Sequence, residues 1–299
     1  MKLAVSGRPT EKNLTLFLFL ALPTALLLLM AVYPLLRLVW LSFTDWNGLS
    51  PDYAWAGLDN YREVLASPTV WRGLRNNSLY FVIHLVLIPV EILIAYILDL
   101  GLRGSTFFKK LFFMPYIING VAVAYMFTAI LSPIEANGAL ATFLSWIGRP
   151  DLIAGWLSDP EIVNYSLVFV SLWRFTGFHI VLFLAAMQSL SPELFDAADL
   201  DGATLLQKFR YIVVPGIWLV IQIVLFLNVR GALQVFDIPF VMTSGGPGHA
   251  SSTFSVYVIE TAFKFSSVGK AASMAVVLFL LILVLAQVQR LVFRFRKAS

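Results

Sequence analysis

The chain has 299 residues, 59% of them hydrophobic and 13% charged, where a soluble domain averages about 25% charged; it reads as an integral membrane protein. The absence of cysteine excludes disulfides, iron–sulfur clusters and a catalytic thiol, and the three histidines (His84, His179, His249) are too scattered for a metal motif. A net charge of +4 is too small to point to nucleic acid.

Residues 1–13 are polar and basic (Lys2, Arg8, Lys12) and read as a tail. The apolar run 14–41 carries one charge, Arg37. It is too long for a signal-peptide core and has no small-residue cleavage site. A span needs about 20 apolar residues, so this run is the first transmembrane helix, with Pro23 and Pro34 tolerated where neighbours satisfy the freed carbonyls. Residues 42–78 are polar and turn-rich, with a short amphipathic helix expected over 58–66. The second span is expected at 79–100 and the third at 111–131, separated by a basic turn with Arg103, Lys109 and Lys110. A polar loop leads to the fourth span, 165–187, and the fifth follows at 211–233. Next comes FDIPFVMTSGGPGHASS, whose glycines and proline force a turn-rich path. A short helix within 254–265, a sixth span at 271–292 and a basic tail at 294–299 complete the chain. The transmembrane domain as a whole is placed at 14–293.

Charge sets the orientation. With the N-terminus inside, twelve lysines and arginines fall on inner segments and six on outer loops, and the inner loops are the shorter ones. Both termini are then cytoplasmic, and so is the connection between spans four and five. No GxxxxGK[ST] is present, so the chain cannot cradle ATP phosphates by that route. No clustered set of reactive side chains suggests catalysis or a metal site.

Polar groups inside spans are expensive and default to functional hypotheses. The second span carries His84, Glu91 and Asp99, and the fourth Trp173, Arg174 and His179. Glu91 and Arg174 are expected to pair, which serves helix register and substrate contact equally well. In the fifth span Arg230 and Gln234 are four apart and share a helix face. With Phe236 or Trp173 as an aromatic surface, they make a candidate cavity lining: Trp173, Arg174, Arg230, Gln234 and Phe236. Asn119 and Gly120 read as a place of close helix packing.

The stretch that organises the chain is SLSPELFDAADLDGATLLQKFRYIVVP, residues 189–215. Between two spans a loop is expected, yet this one is helical in character. Ser191 is a candidate cap, Pro192 suits the first helical position, and Glu193 and Asp196 place negative charge where a helix N-terminus favours it. Asp201–Gly202 interrupts the helix, and a second segment runs from Ala203 to Tyr211. A short acidic helix with Ala197 and Ala198 on one side is shaped to fit a groove on another molecule.

Asp196–Ala197–Ala198, Gly202, Ile212 and Pro215 resemble the EAA loop of ABC importer permeases. The longer string, Leu190 to Pro192, Asp201–Gly202–Ala203, Phe209, Ile212 and Pro215, resembles the carbohydrate-uptake branch, of the kind of the maltose importer's larger permease. Asp196 departs from the family's usual glutamate by one methylene. The resemblance implies an all-α fold of six spans with a cytoplasmic coupling helix between spans four and five, multi-pass in the plasma (cell inner) membrane. It implies a related second permease, two cytoplasmic ATPase subunits holding ATP and Mg, and an extracytoplasmic binding protein, with lipid around the spans and no nucleic acid. The chain itself is then a transport subunit without an ATPase site or cofactor. Pro192, Glu193, Asp196, Ala197, Ala198, Asp201, Gly202 and Ala203 become ATPase-coupling residues, and the substrate a di- or oligosaccharide. A glycerol-phosphate or other polyol is the alternative, with a secondary transporter less favoured because no repeated pair of broken helices is evident.

Overall fold

The computed structural model describes residues 9–133 and 138–295. The expected tails therefore fall outside the described residues at 1–8 and 296–299. Among the described residues the chain is helical, with one isolated β-bridge between Thr44 and Trp55. It divides into two units, residues 9–64 with Thr261–Val277, and Leu65–Glu260 with residues 278–295.

In the first unit α1 (Pro9–Leu27) passes through a π-helical turn (Leu28–Val32) into α2 (Tyr33–Leu41). Pro34 has no N–H to return to the carbonyl one turn back, and the widened turn just ahead of it absorbs the mismatch. None of the most apolar window of this rod is buried. The following loop is tied by Asn60, whose Nδ2 donates to the carbonyls of Ser42 (3.0 Å) and Thr44 (2.8 Å). The start of the last helix, α15 (Val268–Phe295), is also held there. Gly269 N donates to Trp46 O (2.8 Å), and Lys270 pairs with Glu63 at 2.9 Å.

The second unit is built around α4 (Pro68–Asp99) and α8 (Val163–Met187). Val70, Gly73, Asn77, Tyr80, His84, Ile88, Glu91, Ala95 and Leu98 recur every three or four residues on α4, and all are buried. That is the stripe a 3.6-residue period turns inward. It packs on α8 and on α12 (Trp218–Gln234). Two apolar cores lie along these helices. One gathers Tyr80, Phe127, Leu167, Val170 and Ile238; the other Ile92, Ala95, Ile180, Phe183, Val213 and Val224. Between them the sequence places polar residues, and there the helices part around a cavity.

The third expected span is not one rod. α5 (Ser105–Ile117) and α6 (Gly120–Leu131) meet at a 98° bend. Pro115 removes a hydrogen-bond donor from the last turn of α5. Ile118 is extended, and Asn119 caps α6 by accepting from Val121 N at 2.9 Å. Asn119–Gly120 therefore starts a helix rather than packing inside one. Two further elements follow the cavity helix, α13 (Asp237–Thr243) and α14 (Phe254–Ile259). Asn76 and Asn77 hold the glycine-rich turn between them: Asn76 Nδ2 donates to Ala250 O and Ser252 O, and Asn77 Oδ1 accepts from Phe254 N.

Candidate functional site

Two features carry the functional reading. The first is the connection between α8 and α12. α9 spans Pro192–Leu200, with extended Ser191 before it and Glu193 in its first turn. No residue of α9 is buried. Pro192, Glu193, Asp196 and Ala197 are exposed and Ala198 is half-buried. Asp201 closes the helix, and Gly202 turns the chain at φ +72°, a conformation glycine adopts at little cost. Ala203 N then returns to Ala198 O at 2.9 Å. A capping box starts the next helix, α10 (Leu205–Lys208): Thr204 Oγ1 accepts from Gln207 N, and Gln207 Oε1 accepts from Thr204 N at 2.7 Å.

Lys208 is buried, and its ammonium pairs with Asp199 across the Gly202 turn. Phe195 and Phe209 pack on the nearby apolar core, where Phe209 meets Tyr96 at 5.4 Å. α9 is thus anchored on one side by its aromatic residue and bare on the other, with Leu194 and Leu200 exposed. Thr204→Ala is expected to remove one partner of the capping box and cost about 1 kcal/mol. In detergent the thermal midpoint should fall by about 2–4 °C, while Thr204→Ser should stay at the wild-type value.

The second feature is the cavity, of about 370 Å³. Arg174, Arg230, Gln234 and Phe236 line it. Arg230 Nε donates to Gln234 Oε1 at 3.0 Å, the contact expected from their four-residue spacing. Trp173 is elsewhere, half-buried with its ring edge-on to Phe127 at 5.1 Å, packed against the core rather than along the cavity.

Glu91 and Arg174 do not pair. Glu91 Oε2 is bonded to His179 Nδ1 at 3.0 Å, and Arg174 faces Asp237 at 3.8 Å. The reason is register. Glu91 is seven residues below His84 on α4, level with His179 on α8, whereas Arg174 lies more than a helical turn away toward α13. The Arg174 guanidinium rests against Gly120 at the start of α6, leaving no room for a Cβ there. The cavity also has an aromatic wall outside the expected lining, formed by Tyr116, Phe175 and Phe178. Tyr116 and Phe178 stack at 4.4 Å and 16°. A signal was present: Ser171, Phe175, Phe178 and His179 follow the spacing of a single helix face.

The chain thus carries an acidic helix with no buried residue between α8 and α12 and, farther along the same two helices, a cavity lined by aromatic and polar side chains. The sequence pattern of the family described as "Binding-protein-dependent transport system inner membrane component" matches residues 88–297. The chain belongs to that family. It is 34% identical over 280 residues to the probable ABC transporter permease protein YurN of Bacillus subtilis, covering 92% of this chain and 95% of that one. It is 28% identical over 275 residues to the probable starch degradation products transport system permease protein AmyD of Thermoanaerobacterium thermosulfurigenes, covering 91% and 92%. In fold it matches a chain of the crystal structure of a bacterial alginate ABC transporter in complex with alginate pentasaccharide-bound periplasmic protein. The TM-score is 0.79 at 22% identity, with 93% of each chain covered. This is a multi-pass ABC transporter permease of the binding-protein-dependent kind, and the segment 189–215 lies within the matched region.

Proposed function

We propose that this permease forms one half of the membrane pathway of an ATP-driven importer for a di- or oligosaccharide handed over by an extracytoplasmic binding protein. Among the described residues five helices are long and apolar enough to cross a membrane, and the bent pair α5/α6 counted as one makes six. The domain then occupies 14–293 with both termini cytoplasmic, as the charge asymmetry supports. Relatives named for sugar transport, AmyD among them, support the substrate class.

The observation that carries the mechanism is α9, a helix with no buried residue set between two membrane helices. An exposed apolar and acidic rod of this kind is a docking element. It is the coupling helix: Pro192 and Glu193 start it, Asp196 offers charge to a basic residue of the ATPase, and Ala197 and Ala198 let the partner approach closely. Asp201, Gly202 and Ala203 turn the chain back toward the membrane. ATP-driven closure of two ATPase subunits displaces that groove, and Phe195, Phe209 and the Asp199–Lys208 pair pass the displacement to α8 and α12. The cavity, shared with a related second permease, then opens alternately to the two sides. Nucleotide and Mg are held by the ATPases, and this chain carries out no covalent step.

The cavity's Arg174 and exposed Arg230 favour one variant of the reading, a polyol phosphate as cargo. Affinity purification of the tagged permease from its native membrane tests the proposal. It should bring down a Walker-motif ATPase, and uptake should stop on ATP depletion. Uptake that persists without ATP and collapses with the ion gradient would replace the importer by a secondary transporter.

A further inference from the structure

Glu91 is 1% exposed and sits deep among the helices, with one oxygen on His179 Nδ1 and the other, Oε1, buried without a hydrogen bond. As a stability device the arrangement is poor. Removing ions from water costs several kcal/mol each, and well-packed apolar residues in place of such a pair are often neutral or stabilising. What the contact does accomplish is geometric. Nδ1 is committed to the carboxylate, which fixes the ring and its tautomer. The ring nitrogen left for the cavity that His179 lines is Nε2. His84, also on that lining, is held in the same manner, with Nε2 at 3.0 Å from Ser171 Oγ, and the two imidazoles lie 6.4 Å apart. Beside them is the stacked Tyr116–Phe178 pair. A flat aromatic surface next to orientated donors and acceptors matches a pyranose, whose ring has apolar faces and a rim of hydroxyls. The two arginines, by contrast, are partly engaged by Asp237 and Gln234.

We infer that His179 and His84 form the hydroxyl-reading floor of the sugar cavity, with Glu91 as the positioning residue that orientates His179. This rests on the sugar-importer reading above. Desolvated hydrogen bonds of this kind discriminate strongly, since a ligand lacking the hydroxyl leaves a buried polar group unpaired. Recognition by the binding protein lies upstream and is unaffected by these residues. The readout must therefore be the import rate at saturating loaded binding protein, not an apparent affinity.

The test uses the complete transporter in liposomes. A panel of mono-, di- and trisaccharides identifies the cargo, and monodeoxy analogues of that sugar are then compared. His179→Leu should slow import of the parent sugar about tenfold, the equivalent of one hydrogen bond of about 1.4 kcal/mol. For one monodeoxy analogue, the one lacking the hydroxyl that His179 contacts, the variant and the wild type should be equal. Glu91→Gln should give an intermediate loss on the same hydroxyl. The double replacement Glu91→Leu with His179→Leu should accumulate in the membrane at the wild-type level and keep the recognition defect. Equal slowing of the parent and every deoxy analogue would make these residues structural and overturn the inference while leaving the importer intact. If the wild type imports no member of the panel, the sugar reading fails and this inference goes with it.

Discussion

Gly202→Trp is expected to leave the permease inserted and abundant while reducing ATP-dependent uptake at least tenfold. The reason is a separation of costs that this position permits. Gly202 has φ +72°, so any L-residue pays a backbone penalty of about 1–2 kcal/mol there. Nothing of the chain lies within 4 Å of where its Cβ would be, so a methyl group meets no steric cost inside the permease. Gly202→Ala measures the backbone penalty alone. Gly202 is exposed, so a loss of uptake by Gly202→Trp beyond that of Gly202→Ala, at unchanged membrane abundance and thermal midpoint, is the part assigned to bulk meeting another molecule. Asp196→Lys addresses the same surface through charge, since the side chain is exposed and its reversal disturbs little at home. ATP hydrolysis by the assembled complex should continue in both variants, uncoupled from uptake. If tryptophan behaves as alanine does and lysine at 196 transports normally, α9 is not the ATPase contact.

The second large effect is expected at Gly177, in the middle of α8. A Cβ built there would lie on the carbonyl of Phe112, so the backbone of α5 rests directly on α8 at this point. Backbone cannot swing away as a side chain does. Gly177→Val should push the helices apart at a cost of about 1–3 kcal/mol or more, seen as a fall in the thermal midpoint in detergent and in membrane abundance. Gly231→Ala is the contrast. It too is helical and has nothing within 4 Å of its added methyl, so its stability should hold or rise by up to about 1 kcal/mol as helix propensity improves. Similar losses at both positions would mean that glycine acts through flexibility and not through close approach. Tyr116 and Phe178 face the cavity from the same two helices, so Gly177 also sets the spacing of the aromatic wall.

What the sequence disclosed and what it withheld divide along one line. Local, short-range chemistry was readable: Pro192 at the start of a helix, Gly202 at its end, a helix over 59–66 close to the expected one, and the Arg230–Gln234 contact all follow from spacings within one turn or two. Pairings between helices were not. Charge and depth alone match Glu91 with Arg174; only the relative height of α4 and α8 reveals that His179 is opposite. Hydropathy averages over the break at Ile118, which Pro115 and Asn119 mark. Ring area alone favours Trp173 as a cavity surface, but α8 turns Phe175 and Phe178 toward the cavity and Trp173 toward Phe127. The Asp199–Lys208 pair needed the Gly202 turn in place before its two ends could be seen to meet.

That pair has a mechanical corollary. A joint built on glycine ordinarily swivels, and a swivel absorbs a push. Here Asp199 and Lys208 bolt the two arms of the joint together, Thr204 and Gln207 lock its elbow, and the lysine end is sunk in the bundle. On the coupling role proposed above, a bend pinned in this way would deliver a thrust on the exposed arm to the membrane helices as a stroke instead of losing it as slack.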